Sequence, residues 1–343
     1  MRPEQTEKIY VEEMFRRSCE KNNWPLEGQL NVTRLTGDAS TRKYFRISNQ
    51  KNSSFVACLD NPITAPDNDF LYVGKLLKDN QVRTPHIYDS DLSMGYILEE
   101  DLGDITFIKF LSEINSVNDE LNYYTKCLDE IIKIHKINVS SITREQIRSR
   151  YFDFEKLYSE MQMTLQYFCH GILEVPKDDP RILILEAEFK KICQALEEYP
   201  VKVLCHRDYH SRNIMVKNEE LIVIDFQDAR IGTPFYDLVS LLEDCYYQID
   251  EANIVTLKKY YYSILREHLG ITNAVDFDYF YELSKLQRVF KAIGSFAYIY
   301  ITRNDKRYLK YIGFAMEKIK AVLLRRQEFV SLRKNLFGIY YEN

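Results

Sequence analysis

The sequence predicts an α+β protein with two lobes, a small strand-rich lobe over residues 1–100 and a larger helical lobe over residues 101–343. Short segments of strand character fill the first hundred residues. Residues 105–135 and 151–198 are long helical stretches, and the chain from 237 onward is almost entirely helical in character. A series of strands followed by a series of helices is typical of the α+β class. The cleft between two such lobes is the usual place for a ligand.

The first lobe begins with a helix and continues as a small sheet. Residues 7–20 place apolar side chains at helical spacing, which predicts a short amphipathic helix. The segments "NVTRLTG", "KYFRIS" and "SFVACLD" predict short strands, because the intervening "DAST" and "NQKNS" are rich in turn-forming residues. Residues 67–80 predict a second helix, and "HIYDSD" with "GYILEED" predicts a further hairpin.

Composition and charge exclude several classes of protein. The chain has 51 acidic and 46 basic residues and a net charge of −5, which argues against a nucleic-acid-binding surface. No stretch approaches the roughly 18 apolar residues of a membrane span, and the N-terminus lacks the apolar core of a signal peptide. The seven cysteines are scattered without a C-x-x-C pair, which favours buried thiols over disulfides or a structural zinc site. We therefore expect a cytoplasmic protein.

Residues 201–225 return to short strands around two polar stretches, "CHRDYHSRNIMV" and "LIVIDFQDAR". One hypothesis is a zinc site, because His206, Asp208 and His210 alternate along an extended segment and are competent zinc ligands. The chain has only 6 His, however, and no second ligand cluster stands out. A second hypothesis is a strand–loop–strand whose polar residues merely satisfy backbone groups.

A third hypothesis is phosphoryl transfer, because the spacing from His206 to Asn213 matches the H-R-D-x-x-x-x-N catalytic loop of kinases. Twelve residues after Asn213, an apolar strand ends in Asp225 in the place of the magnesium-binding D-F-G, with Gln227 instead of glycine. In this hypothesis Asp208 orients and deprotonates the attacking hydroxyl, and Asn213 and Asp225 hold Mg²⁺ against the ATP phosphates.

These motifs resemble the aminoglycoside/choline phosphotransferase family, the small-molecule branch of the protein-kinase-like fold. Together "LTGDASTRKYFRI", "ILEEDLGD", "HRDYHSRN", "IDFQDARIG" and "YDLVSLLED" are similar to the bacterial anomeric kinases of N-acetylmuramate and N-acetylglucosamine. The resemblance implies an ATP- and Mg²⁺-dependent kinase of a small-molecule acceptor, an amino sugar in cell-wall recycling. Alternatives are an aminoglycoside, choline or homoserine-type acceptor, or a nucleotide-binding pseudokinase without turnover.

A protein substrate is not expected. Only eleven residues separate Asp225 from Asp237, which leaves no room for a regulated activation segment ending in A-P-E. Asp237 is predicted to brace the catalytic loop by accepting backbone hydrogen bonds, and a simple helix N-cap is its alternative.

The first lobe carries the predicted nucleotide-binding residues. The small and hydroxylated residues Gly37, Ala39, Ser40 and Thr41 would let the backbone approach the phosphates, although an ordinary hairpin turn is the alternative. The third strand offers Asp60 rather than the expected lysine, so the phosphate-neutralising cation is sought nearby, at Arg46 or at Arg42 and Lys43. Glu99 and Glu100 mark the predicted hinge that meets the adenine.

Other polar residues around the motif have weaker assignments. His206 is predicted to support the loop from the core, whereas His210 and Arg212 are candidates for contact with a sugar or a phosphate. Asp228 and Glu243 follow the catalytic strand and are candidates for the acceptor pocket, with simple surface exposure as the alternative.

Overall fold

The computed structural model describes residues 3–26, 28–35, 42–48, 54–65, 67–270 and 273–342. The chain divides into two compact units. The strand-rich unit consists of Met1–Asp79, Arg83–Ile105 and Met215–Gln227, and the helical unit consists of Asn80–Val82, Thr106–Ile214 and Asp228–Asn343. The predicted two-lobed α+β class is confirmed. The predicted boundary after residue 100 lies five residues before the end of Arg83–Ile105, the second segment of the strand-rich unit. Residues 215–227, which come later in the chain, also belong to this unit.

The strand-rich unit is built on a five-stranded antiparallel sheet. Its strands lie in the order β1-β2-β3-β5-β4 and comprise β1 (Asn31–Arg34), β2 (Lys43–Ser48), β3 (Ser54–Leu59), β4 (Ile87–Asp91) and β5 (Tyr96–Glu100). Ala57 of β3 pairs with Phe45 of β2 and with Leu98 of β5, so the apolar positions align across the sheet. This register puts one set of alternating side chains on the buried face.

Two helices complete the hydrophobic core of this unit. Helix α1 (Pro3–Asn22) packs Val11, Met14 and Phe15 against one face of the sheet, which contributes the buried side chains Phe45, Ile47, Ala57, Tyr96 and Leu98. Helix α2 (Asp69–Asp79) stacks the ring of Phe70 on that of Phe226, with 5.0 Å between the ring centroids. This stacking fixes the residue that follows Asp225.

The helical unit contains long helices and two short strands. Its elements are α3 (Phe107–Leu111), α4 (Val117–His135), α5 (Glu145–Arg148), α6 (Phe154–Thr164), α7 (Pro180–Glu198), β6 (Val203–Cys205), β9 (Arg230–Gly232), α8 (Phe235–Leu242), α9 (Glu251–Leu269), α10 (Ala274–Arg303), α11 (Lys310–Arg325) and α12 (Val330–Tyr341). Side-chain N-caps begin several of these helices, as Ser116, Asp153 and Asp250 show. Among the described residues, no helix combines the length and apolar character that a bilayer crossing requires.

The core of the helical unit is centred on α10. The ring of Phe290 on this helix stacks on Phe189 of α7 with 4.3 Å between centroids. Gly294 lets α10 approach α6 closely, because a Cβ at this position would lie 2.7 Å from the Cα of Thr164. The hydroxyl of Thr164 donates to the carbonyl of Phe290 at 2.9 Å, which ties the two helices together.

Short strands flank the stretch that carries the polar motifs. β6 pairs antiparallel with β9. β7 (Ile214–Lys217) and β8 (Glu220–Val223) form a hairpin. Its two turn residues, Asn218 and Glu219, have φ values of 51° and 65°, as the type I′ turn requires. The strands predicted over 201–225 are therefore confirmed.

Candidate active site

The loop that carries Asp208 joins β6 to β7 and is held by its own hydrogen bonds. The backbone N–H of His210 donates to the Asp208 carbonyl at 3.1 Å, and that of Asn213 donates to the His210 carbonyl at 2.8 Å. The side-chain amide of Asn213 also donates to the Asp208 carbonyl, at 2.9 Å. The loop is thus compact, with the predicted base and the predicted metal ligand tied to one carbonyl group.

The side chain of Asp237 holds the first residues of this loop in place. Its carboxylate accepts hydrogen bonds from the backbone N–H groups of His206 at 2.6 Å and Arg207 at 2.9 Å, and the residue is fully buried. The N-cap position of α8 is occupied by Pro234, so Asp237 is not a simple N-cap. The predicted brace is confirmed.

A second carboxylate holds the middle of the loop, and the sequence reasoning missed it. Asp244 accepts hydrogen bonds from the backbone N–H of Ser211 at 3.0 Å and from its hydroxyl at 2.5 Å. The other oxygen of Asp244 accepts from the N–H of Tyr246 at 2.8 Å. Two buried acidic residues therefore fix the loop backbone on either side of Asp208 and restrict the directions in which that side chain points.

Asp208 lies against two basic residues of α10 that the sequence reasoning also missed. The Nζ of Lys291 is 2.9 Å and the Nη2 of Arg288 is 3.2 Å from the same oxygen, Oδ1. The Asp208 side chain keeps about a quarter of its surface exposed (25%), so it remains accessible to a substrate. Burial alone would raise the pKa of Asp208, but the charges of Lys291, Arg288 and Arg207 outweigh burial and hold the pKa well below its usual range. Asp208 is therefore ionised at neutral pH.

Arg207 bridges two carboxylates from a strained backbone conformation. Its φ of 86° lies in the region that favours glycine. The Nη1 atom is 3.1 Å from Asp228, and Nε is 3.7 Å from the Oδ2 of Asp208. Strain of this kind persists where the surrounding structure enforces it, and it concentrates at functional sites.

The two histidines of the loop differ in environment. His206 is buried beside the ring of Tyr209, as a core support would be. Burial lowers the pKa of His210 to about 4, against the opposing charges of Asp244 and Asp208, so the ring is neutral at physiological pH. Its edge faces the ring of Tyr246, with 5.3 Å between centroids.

Arg212 forms one wall of a basic cavity next to the loop. Its guanidinium lies over the rings of Tyr246 and Tyr308, 4.8 Å and 5.4 Å from the two centroids. The cavity has a volume of about 350 Å³, and its lining consists of Arg212, Lys306, Arg307, Tyr308, Lys310 and Tyr311. Asp305 neutralises Arg307 at 2.6 Å. No carboxylate of the described chain lies within ion-pair distance of Lys306 or Lys310, so the cavity keeps an excess of positive charge.

The two acidic candidates for the acceptor pocket have different surroundings. Asp228 is half exposed (52%) and pairs with Arg207. Glu243 is buried, lies 2.8 Å from Lys285 and 3.4 Å from Lys318, and accepts a hydrogen bond from Tyr281. Burial would raise the pKa of Glu243, but the two lysines lower it. Glu243 therefore stabilises the packing of α8 against α10 and α11.

The predicted metal ligands Asn213 and Asp225 belong to different units, Asn213 to the helical unit and Asp225 to the strand-rich unit. The Asn213 amide nitrogen donates to the Asp208 carbonyl, and the amide oxygen is the atom of this side chain whose chemistry suits a cation. Asp225 is exposed at a φ of 65°, and its Oδ1 accepts from the Gln227 amide at 2.8 Å. Both side chains offer the hard oxygen donors that Mg²⁺ takes.

The predicted phosphate loop, Gly37, Ala39, Ser40 and Thr41, lies outside the described residues. Arg46, the predicted phosphate-neutralising cation, donates to two carboxylates, with Nε 2.7 Å from Asp101 and Nη2 2.9 Å from Asp104. These bonds raise the pKa of Arg46, with Asp104 as the larger cause and Asp101 as the second. Phosphate binding by Arg46 stays a prediction, and its two carboxylate partners weigh against it.

The other cations near β3 are also engaged. Arg42 forms an ion pair with Asp60 at 2.9 Å and lies over the ring of Phe70. Lys43 forms an ion pair with Glu7. Asp60, which stands where a lysine was expected, therefore has a cationic partner of its own. The cation that neutralises the phosphates is not identified among these residues.

The predicted hinge residues Glu99 and Glu100 are adjacent but differ in charge state. Glu99 is buried (6% exposed), and burial raises its pKa to about 8, although Arg42 lowers it in part. Glu100 lies 2.8 Å from Lys217 and 2.9 Å from Arg83. Burial would raise the pKa of Glu100, but these hydrogen bonds lower it.

The zinc hypothesis gains no support from the geometry. In the described part of the chain, the one group of three potential ligands close enough to share a metal ion is His135, Cys205 and Asp237, not the set that includes Asp208. The Asp237 carboxylate of that group is already occupied by the two backbone N–H groups of the loop.

Comparison with known proteins identifies the family. Residues 31–269 match the phosphotransferase enzyme family (APH). The chain is 30% identical to the N-acetylmuramate/N-acetylglucosamine kinase of Pseudomonas aeruginosa, over 89% of this chain and 87% of that protein. It is 27% identical to the kinase of the same name from Neisseria meningitidis, over 89% of this chain and 90% of that protein.

Solved structures with low sequence identity share the fold. A choline/ethanolamine kinase family protein from Mesorhizobium loti superposes with a TM-score of 0.58 at 12% identity, covering 96% of this chain and 98% of that chain. The streptomycin–ATP complex of APH(2″)-IIa superposes with a TM-score of 0.58 at 13% identity, covering 89% and 95%. The chain therefore belongs to the phosphotransferase enzyme family, and it is a small-molecule phosphotransferase with a kinase-like fold.

Proposed function

We propose that the protein transfers the γ-phosphoryl group of ATP to the anomeric hydroxyl of an N-acetyl amino sugar, N-acetylmuramate or N-acetylglucosamine. The observation that carries this proposal is the similarity to two amino-sugar kinases over most of both chains, at 27% and 30% identity. The product would be a sugar 1-phosphate, which suits nucleotide-sugar synthesis in cell-wall recycling. We propose that the reaction takes place in the cytoplasm, where ATP is available.

Asp208 would act on the acceptor hydroxyl. Among the described residues, Lys291 and Arg288 contact its Oδ1, whereas Oδ2 has only the more distant Arg207 nitrogen at 3.7 Å. The hydroxyl would therefore donate to Oδ2 and lose its proton to this oxygen as the new bond to phosphorus forms. Because the pKa of Asp208 is low, the carboxylate is a weak base, and its main contribution is to orient the hydroxyl.

Mg²⁺ is the cofactor that suits the predicted ligands. Asn213 presents an amide oxygen and Asp225 a carboxylate, and this one carboxylate leaves charge for the ATP phosphates to balance. When bound, the ion would neutralise the phosphates and orient them. The protein's own part is to fix the two oxygen donors, through the hydrogen bonds that Asn213 and Asp225 make.

The positive charge of the basic cavity favours an anionic or neutral sugar as the acceptor and disfavours a cationic one. An aminoglycoside or choline would meet the positive charges of Arg212, Lys306 and Lys310. Tyr311, which is partly exposed, supplies an aromatic surface of the kind that packs against a sugar ring. A volume of about 350 Å³ lies in the range of small-molecule sites.

The test is ADP release by the purified protein with ATP and Mg²⁺ across N-acetylmuramate, N-acetylglucosamine, choline, homoserine and an aminoglycoside. We expect turnover with the amino sugars and an acid-labile phosphate, because an anomeric phosphate hydrolyses readily in acid. Turnover with only choline, homoserine or the aminoglycoside would reject the amino-sugar proposal. An acid-stable sugar phosphate would reject transfer to the anomeric hydroxyl.

A further inference from the structure

Lys291 is a nearly buried ammonium group with unused hydrogen-bond donors. It projects from α10, and the residue is only 9% exposed. Its Nζ donates to the Oδ1 of Asp208 at 2.9 Å, which is its one hydrogen bond to the described residues. A protonated lysine carries three donors. Donors that are withdrawn from water without partners are unfavourable, so this site is suited to a further acceptor.

The neighbours of Lys291 leave an excess of positive charge. Arg288 is fixed by a 2.8 Å bond from Nε to Ser240 and by its contact with Asp208. Arg207 lies between Asp208 and Asp228. These three cations contact two carboxylates, Asp208 and Asp228. The buried Glu160 also acts on all three, but it pairs with Lys156 at 3.2 Å, so the group favours an additional anion.

Arg230 adds to this excess. Its buried Nε atom has no hydrogen-bond partner in the part of the chain that the structure describes. Burial lowers the pKa of Arg230, and the charges of Arg207 and Arg150 lower it further, whereas Glu160 and Asp228 oppose this shift in part. A fourth cation therefore lies beside Arg207, and no carboxylate of the described residues accepts a hydrogen bond from it.

The reaction brings an anion to this position. The acceptor hydroxyl that Asp208 holds attacks the γ-phosphorus, so the transferred phosphoryl group arrives one bond away from that oxygen. Its three equatorial oxygens carry negative charge, and catalysis of this transfer depends mainly on neutralising that charge. A cation that donates to the other oxygen of Asp208, as Lys291 does, would then lie close to these phosphoryl oxygens.

We propose that Lys291 is a catalytic residue that donates a hydrogen bond to the transferred phosphoryl group. It supplies a positive charge that β3 lacks, because Asp60 stands where a lysine was expected. This inference rests on the proposed function, in which Asp208 is the residue that holds the acceptor hydroxyl. Arg288 acts through Asp208 and is a positioning residue.

The step balances without a further reactant. A bond forms between the acceptor oxygen and the γ-phosphorus, the bond from that phosphorus to the β–γ bridging oxygen breaks, and its electron pair leaves with ADP. The acceptor proton moves to the Oδ2 of Asp208. Lys291 remains protonated throughout and contributes only charge and hydrogen bonds.

The test compares Lys291→Met and Lys291→Arg with a matched control, Lys285→Met. Lys285 lies on the same helix, and its side chain has the same exposure (11%), but it pairs with Glu243 away from Asp208. N-acetylglucosamine is the acceptor, because it carries no carboxylate. We expect Lys291→Met to lower kcat by about 10²- to 10³-fold with little change in KM, and Lys291→Arg to restore part of the rate. Lys285→Met should lose thermal stability but keep kcat.

Two readouts separate catalysis from a structural role. Aluminium fluoride mimics the transferred phosphoryl group. In Lys291→Met, the affinity for the combination of ADP, aluminium fluoride and the acceptor should fall by about the same factor as kcat. Burial and the charge of Arg288 lower the pKa of Lys291, so the comparison is kept between pH 6 and pH 8, and the rate loss should persist over this range. A loss that disappears at high pH would show that Lys291 only keeps Asp208 ionised, and an equal loss in Lys285→Met would show a packing effect. Either result would overturn the proposal.

A second acceptor shows whether Lys291 binds the transferred phosphoryl group or a carboxylate of the acceptor. N-acetylmuramate carries a carboxylate, and an effect of Lys291→Met confined to this sugar would assign Lys291 to the acceptor carboxylate and reject the phosphoryl contact. If the wild-type protein uses another acceptor of the panel, the same comparison is made with that acceptor. Failure of the amino-sugar proposal therefore leaves the Lys291 test intact.

Discussion

Arg207 combines a backbone conformation suited to glycine with a side chain that bridges Asp208 and Asp228. A residue with a Cβ is disfavoured at a φ of 86° by roughly 1–2 kcal/mol. The guanidinium must therefore contribute enough, in stability or in function, to maintain the strained backbone. Its position beside the predicted base indicates function.

This account predicts a difference between Arg207→Gly and Arg207→Ala. Both variants should lose at least tenfold in kcat/KM, because Asp208 loses a flanking charge and Asp228 loses its partner. The glycine variant should be more stable than the alanine variant by roughly 1 kcal/mol, because glycine relieves the strain. Denaturant unfolding and steady-state kinetics measure the two effects. An alanine variant as stable as the glycine variant would show that the backbone is not strained.

The sequence predicts the residues of the catalytic loop but not the cations that surround them. Asp208 and Asn213 are recognised because their spacing is fixed by a local loop. Lys291 lies 83 residues beyond Asp208, and only the packing of α10 brings it close. A signal does exist, since Lys285, Arg288 and Lys291 recur every third residue in a segment of α10 that is otherwise mostly apolar. Cations on the buried side of a helix indicate buried carboxylate partners.

At the scale of single elements, strand β5 ends in two glutamates with opposite pKa shifts. Glu99 holds a proton in the folded protein up to about pH 8, whereas the unfolded chain releases it near the ordinary value of 4.5. The free energy of unfolding therefore falls as the pH rises between these values. Glu100 is ionised and paired with Lys217 and Arg83, so its charge favours the folded state.

We expect Glu99→Gln and Glu100→Gln to change stability in opposite directions above pH 8. Glu99→Gln removes a buried charge and should raise the free energy of unfolding by a few kcal/mol, on the order that such a pKa shift implies. Glu100→Gln breaks the ion pairs of Glu100 and should lower the free energy of unfolding by about 1–3 kcal/mol. Melting temperatures of the wild type and the two variants from pH 5 to pH 9 measure both effects. A wild-type-like pH profile in Glu99→Gln would contradict the account.

The contact between α6 and α10 depends on the absence of a side chain at Gly294. In Gly294→Ala the new Cβ would lie 2.7 Å from the Cα of Thr164, so the helices must separate, at roughly 1–3 kcal/mol. Gly313→Ala on α11 is the matched control, because its nearest neighbour is the Tyr340 hydroxyl at 3.8 Å. That exposed helical site should gain about 0.5–1 kcal/mol. Equal effects in urea unfolding would argue against the close approach of the two helices.

The elements follow from sequence periodicity, but their grouping into units does not. The strands around Phe45, Ala57 and Leu98 are predicted because apolar residues alternate and turn formers separate them. That residues 215–227 belong to the strand-rich unit depends on long-range packing, such as the stacking of Phe226 on Phe70. The role of Arg46 cannot be deduced from the sequence either, because its carboxylate partners come from a segment 55 and 58 residues away.

At the scale of the whole molecule, all seven cysteines are buried and free. Burial raises the pKa of the thiols, for example that of Cys169 to about 12, so few are ionised at neutral pH. We expect the native protein to react with less than one equivalent of a thiol reagent in minutes, and the denatured protein with seven. Rapid reaction of several thiols in the native protein would contradict the buried positions.

The measurement that tests the central claim most directly is phosphoryl transfer from ATP to N-acetylmuramate by the wild type and by Asp208→Asn. Asp278→Asn is the control, since Asp278 is an exposed residue that pairs with Lys258. The account predicts that Asp208→Asn loses about 10²- to 10⁴-fold in kcat/KM, while the control stays within twofold of the wild type. Retention of more than a tenth of wild-type activity by Asp208→Asn would contradict the assignment of the base.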